Sequence, residues 1–183
     1  MNMAFEVTFN LENDDLDYFR DVMRKAQTKA KNLSEHTILA NARQLCIDVS
    51  GVVPNFVQTR LQKLEVMIAM VEDDEWGLPI EERADVLAAL SYFSDSDDLV
   101  PDEIPVLGFL DDAIMIELVA ESLTDSIDAY QNFCVFRSRE FDRLGSEVTK
   151  QDWLANKRRE LHERVRSRRS GQSANGGSFR SIF

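Results

Sequence analysis

Glycine and proline are scarce in this chain, seven and four among 183 residues, and a turn-rich all-β fold needs more punctuation than that. Cysteine is scarcer still. Cys46 and Cys134 lie far apart, each inside an apolar helical pattern and without metal or redox spacing, so they read as reduced core thiols of a cytoplasmic protein. The two histidines, His36 and His162, fall in different helical segments with no partner in sequence, which reads as surface or interface placement and not as catalysis. No apolar run approaches the ~18 residues that cross a bilayer. The longest, Ile104 to Leu110 and Ala113 to Ile116, are broken by Asp111, Asp112 and Glu117. The start, MNMAFEVTFNLEND, has no basic segment and soon turns acidic, so it does not read as a secretory leader. A Gly-rich phosphate loop, a nucleophile elbow and zinc-ligand spacing are all missing, and no catalytic residue is nominated.

Charge, by contrast, is abundant and unevenly placed. The formal net charge is −12, but the residues from Lys150 onward hold nine Lys/Arg against three Asp/Glu, leaving an acidic body of −18 and a basic end of +6. A body of that sign repels phosphates and anionic headgroups, whereas the basic end attracts both.

Helical periodicity dominates the chain. FEVTFNL (Phe5 to Leu11) alternates like a short extended segment, but one strand cannot stand alone. Leu16, Phe19, Met23, Ala26 and Ala30 then share one helical face behind an acidic start at Asn13, Asp14 and Asp15. Ser34 is placed to cap a second helix, with Leu33 and Ile38 as a staple and Ile38, Ala42, Leu45, Cys46 and Val49 inward. Pro54 opens a third helix that buries Val57, Leu61, Leu64, Ile68 and Val71. Glu72 to Gly77 reads as a loop. Pro79 opens a fourth helix with Ala84, Leu87, Leu90 and Phe93 inward. Further on, a long apolar helix starts near Asp111 and heads towards Gly145, with a bend around Thr124 to Asp128. Val148 and Thr149 predict the cap of a last helix with Trp153, Leu161 and Val165 on its inner side. The expectation is an all-α, single-domain bundle of about six helices spanning residues 1–169 around an apolar helical hairpin. From Ser170 the composition turns to Ser, Gly, Asn and Gln, which predicts a flexible tail over 170–183.

Between the fourth and fifth patterns lies a connector dense in Asp, Pro and Gly. Pro101 and Pro105 hold Val100 and Ile104 extended, giving a stiff turn between two antiparallel helices. The run YF-x4-D-L-V-P-D-x-I-P-V-L-G-F-L-D-D, from Tyr92 to Asp112, resembles the signature of the YkvA-like family, a small bacterial domain of unknown function. The resemblance covers 84–123. Tyr92, Phe93, Asp98, Pro101, Asp102, Pro105, Gly108, Asp111 and Asp112 stand at the motif positions, while Ser96 replaces the usual Pro. It implies a helical hairpin and a bacterial source, and it supplies no reaction.

Two readings fit the carboxylates of this connector. Asp98, Asp102, Asp111 and Asp112 would cap turn amides and the start of the next helix, with Asp111 at the N-cap between stapled Leu110 and Met115. Alternatively they would converge on a hard divalent cation, Mg²⁺, Mn²⁺ or Ca²⁺, as a metal-binding module or a metal-dependent enzyme. Capping is the plainer of the two and asks for no cofactor.

The C-terminal stretch KRRELHERVRSRR (Lys157 to Arg169) offers Arg158, Arg159, Arg166, Arg168 and Arg169 to a partner, and the end adds Phe179 and Phe183 as apolar anchors on a tether. An acidic protein surface, on this chain, a second copy or another protein, is the leading partner. Nucleic acid and an anionic membrane surface are alternatives. Together these features point to a non-enzymatic interaction or regulatory protein.

Overall fold

The computed structural model describes residues 10–49, 54–94, 109–143 and 147–174. Most of the strand-patterned segment, the Asp/Pro/Gly connector at 95–108 and residues 175–183 lie outside them. Among the described residues the chain is all-α: α1 (Asn13–Ala30), α2 (Glu35–Asp48), α3 (Asn55–Glu72), α4 (Ile80–Leu90), a 3-10 turn at Ser91–Ser94, α5 (Leu110–Ser122), α6 (Thr124–Arg143) and α7 (Glu147–Ala174).

The helix starts follow from local chemistry. Glu12 and Asp15 close a reciprocal capping box at α1, the Glu12 amide donating to Asp15 Oδ2 at 3.0 Å. Ser34 Oγ accepts the Thr37 amide at 3.2 Å and so caps α2. Pro54 and Pro79 stand immediately before α3 and α4, where a residue without an N–H forfeits no helical bond. The break between α5 and α6 falls at Leu123, just ahead of the expected bend. There the Thr124 hydroxyl donates back to the carbonyls of Ala120 at 3.1 Å and Glu121 at 2.8 Å, a pattern that bends helices.

The centre of the bundle is α3. It buries Val57, Leu61, Leu64, Met67, Ile68, Met70 and Val71, a stripe too broad for one neighbour. It packs against α2, α4, α5 and α6, and α5 lies chiefly along it. Meanwhile α4 packs mainly on α2 and the 3-10 turn. The two arms expected as a hairpin therefore each find their principal neighbour elsewhere, because α3 offers α5 the wider apolar face. Polar straps reinforce the arrangement. Arg83 on α4 pairs with Glu35 on α2 and donates to the Val71 carbonyl at the end of α3 at 2.6 Å. Glu117 on α5 takes Lys63 at 2.7 Å and Arg60 at 3.1 Å from α3.

Two inward faces differ from the sequence reading. On α4 the buried residues are Glu82, Val86, Ala89 and Leu90, while Ala84 is exposed. The face is rotated so that a carboxylate enters the interior, which an apolar count does not register. On α7 the helix begins at Glu147, so Thr149 lies inside it and not at its cap. Among its described side chains the buried ones are Leu154, Leu161, His162 and Val165, and Trp153 is 53% exposed. The spacing of that set, i, i+7, i+8 and i+11, is one continuous face. The helix continues past Ser170 to Ala174. No helix among the described residues is long and apolar enough to cross a membrane.

Candidate functional site

The residues with the most chemistry gather where α7 lies against α6, the start of α4 and the turn between α3 and α4. Asp73 organises that turn. Its carboxylate accepts the Trp76 amide at 3.1 Å and the Tyr130 hydroxyl at 3.1 Å, and takes Arg137 from α6 at 2.8 Å. Its backbone carbonyl accepts the Gly77 amide at 2.9 Å. Gly77 has φ +56°, a conformation that an L side chain resists, and this reversal turns Trp76 inward. Trp76 is fully buried. It meets Tyr130 and Phe133 of α6 with ring centroids at 5.7 and 5.2 Å, and His162 of α7 at 4.1 Å. Burying aromatic bodies of this size stabilises by roughly 1.5–3 kcal/mol each.

His162 is 9% exposed. Its Nε2 lies 3.2 Å from the Trp76 carbonyl, which fixes the proton on Nε2 in the neutral ring. Burial pushes its pKa down against the opposing bond to the Trp76 carbonyl, and Arg158 and Arg166 push it down as well. One turn further along α7, Glu82 of α4 is also buried, 3.5 Å from the Ser126 hydroxyl of α6. Burial raises its pKa against the pull of Arg169, Ser126 and Arg166. Neither group was singled out as a site residue by sequence. Periodicity scores a Glu in a first helical turn as solvent-facing, and a lone His carries no spacing signal.

The nominated arginines divide between two faces of α7. Arg158 donates to the Glu75 carbonyl at 2.9 Å, Arg168 pairs with Asp125 at 2.7 Å and Arg169 with Asp85 at 3.0 Å. Arg159 is exposed and bonded to Asn156 of its own helix, and Arg166 is exposed. Phe179 and Phe183 lie outside the described residues.

The nominated aspartates divide too. Asp98 and Asp102 fall outside the described residues. Asp111 and Asp112 occupy the first turn of α5, with Asp111 at 3% exposure. The residue at the N-cap is Phe109, without a side-chain cap, so Asp111 stands two positions inside. There its charge meets the positive end of the helix dipole instead of filling the cap. Among the described residues no group of three or more His, Cys, Asp or Glu is arranged to hold a metal. Cys46 is chemically quiet, since burial and the nearby Glu65 raise its thiol pKa to about 11.

Tyr92 and Phe93 have a structural place. Tyr92 is buried in the 3-10 turn and meets Phe93 edge-on at 5.2 Å, where α1, α2 and α4 converge. Around this turn the comparisons with known proteins become informative. Residues 83–118 match a family described as "Protein of unknown function (DUF1232)". The match spans about a fifth of the chain, from α4 through the connector into α5. No curated protein and no solved structure matches the chain. The similarity therefore falls on the scaffold beside α3, while the α7 face with Trp76 and His162 lies outside it.

Proposed function

We propose that this chain is a non-enzymatic interaction or regulatory protein with a YkvA-like central segment, bacterial and cytoplasmic, that meets an acidic protein surface through its basic C-terminal helix. The observation that carries the reading is the double use of α7. One flank, Arg158, Arg168 and Arg169, engages the acidic body of the same chain. Arg159 and Arg166, seven residues and so two turns apart on a common face, remain exposed. A partner with carboxylates about 10 Å apart would meet both. A second copy of the acidic body is the nearest surface of that kind, and the Phe-ended tail adds an apolar anchor.

The test compares the full chain with an Arg159→Ser/Arg166→Ser variant. Affinity capture identifies what is held, and sedimentation across salt concentrations reports self-association. The reading expects a complex that the variant loses and that weakens as salt rises. Equal retention by both proteins sinks it. Divalent titration of the chelator-treated protein separates the metal alternative: micromolar Mg²⁺, Mn²⁺ or Ca²⁺ binding that Asp111→Asn abolishes would make the chain a metal-binding module instead.

A further inference from the structure

We propose that α7 is an acid-released helix: protonation of His162 undocks it from Trp76 and uncovers the aromatic pocket beneath. The inference stands apart from the partner reading, since it concerns what holds α7 and not what α7 meets.

The geometry suits only a neutral imidazole. The ring lies against the Trp76 ring at 4.1 Å, and Nε2 already uses the Trp76 carbonyl at 3.2 Å. Nδ1 is buried and has no hydrogen-bond partner among the described residues. In the neutral ring Nδ1 is an unprotonated acceptor, whereas in the imidazolium it becomes a second N–H donor facing nothing that can accept it. The charges acting on the ring are wrong for a cation as well. From α7 itself come the guanidiniums of Arg158 and Arg166. The α3–α4 turn contributes the Trp76 carbonyl and the Asp73 carboxylate, the latter already bonded to the Trp76 amide, the Tyr130 hydroxyl and Arg137 of α6, and α6 otherwise faces the pocket with Phe133. The nearby carboxylate on α4, Glu82, lies 3.5 Å from the Ser126 hydroxyl and in the field of Arg169 and Arg166. An imidazolium here is buried, half-bonded and next to two cations, and the least costly escape is rotation of the ring into water together with the helix that carries it.

Release of α7 means giving up its packing along α6 and the Arg158 bond to the Glu75 carbonyl at 2.9 Å, and the helix lies at the edge of the bundle with its outer face in water. Among its described side chains the other buried ones are Leu154, Leu161 and Val165, and its ion pairs to Asp125 and Asp85 are partly exposed. Glu82 works in the opposite sense. Its protonation relieves a buried charge and favours the docked state, so acid acts through His162 and not through Glu82.

The experiment uses the full chain carrying Trp153→Phe, which leaves Trp76 as the one tryptophan. Between about pH 8 and about pH 5 we expect a red shift of Trp76 emission. After correction for intrinsic chemistry, amide exchange in α7 should rise at least roughly tenfold relative to α3. Its midpoint should coincide with titration of the His162 ring followed by NMR. His162→Phe and His162→Gln should hold α7 protected throughout, and Glu82→Gln should keep the transition. The proposal is overturned if His162 protonates while α7 stays protected, or if α7 opens while His162 is neutral. It is overturned equally if α3 loses protection in step, or if either His162 variant that folds still opens in acid. The NMR and exchange arm needs no His162 variant, so it decides even if both variants fail to fold.

Discussion

Replacing Leu161 by Ala should cost this protein more stability than removing the Arg168–Asp125 and Arg169–Asp85 ion pairs of α7, and the structure sets the sizes. Leu161 is 1% exposed. Truncating a buried Leu to Ala costs about 2–5 kcal/mol, depending on how far the site relaxes. α7 is a peripheral helix with solvent on its outer face, so relaxation is easy and the low end applies, about 2–3 kcal/mol. The pairs Arg168–Asp125 and Arg169–Asp85 connect side chains that are 54% and 26%, and 30% and 36%, exposed. Exposed pairs of this kind are worth roughly 0.2–1 kcal/mol each and fade with salt. Arg168→Gln/Arg169→Gln should therefore lose less than about 2 kcal/mol, and less again at ~0.5 M salt. Urea denaturation of both variants at low and high salt reads the difference directly. In a thermal scan Leu161→Ala should lower the midpoint by about 4–12 °C. A double-arginine loss equal to the Leu161 loss would show that charge, not apolar burial, holds α7.

Two further outcomes follow from positions around the same pocket. Gly77→Ala places a Cβ at φ +56°, 3.3 Å from Arg158 Nη1 and 3.5 Å from the Asp74 carbonyl. It should destabilise by about 1–2 kcal/mol in denaturant titration, with Gly77→Asn milder because Asn tolerates that conformation. Glu82→Gln should raise stability at neutral pH. The raised Glu82 pKa means that the folded state binds the proton more tightly, so the stability contributed by Glu82 falls as pH rises from the ordinary carboxylate range through the folded value. The gain from the Gln variant should shrink as pH is lowered through that window, and a loss of stability at neutral pH would contradict the argument.

Much of the helical framework was legible because it rests on short-range signals. Scarce Gly and Pro, helical spacing in α1 to α3, Ser34 as a cap and the two prolines before α3 and α4 all act within a few residues of where they stand. Of the candidate site, the sequence marked the basic face of α7 and the acidic first turn of α5. It could not say which arginines turn towards the body, because that depends on where Asp85 and Asp125 lie when α4 and α6 pack beside α7. It missed Glu82, since a carboxylate in a first helical turn is ordinarily solvated. It also placed Trp153 inside and left Trp76 in a loop.

The sequence by itself determined that the chain is helical, that its body is acidic and its C-terminal helix basic, and that Asp, Pro and Gly crowd the stretch from Asp95 to Asp112. Those properties belong to composition and to spacing along one element. Only the tertiary structure decided that α3, not a hairpin of α4 and α5, is the centre of the bundle, and that Trp76 and His162 share one pocket across 86 residues of chain. The physical reason is that burial of a loop tryptophan requires a left-handed turn at Gly77, an Asp73 side chain to satisfy the turn, and an incoming helix to cover it. Each is a relation between elements, and no periodicity along a single element encodes it.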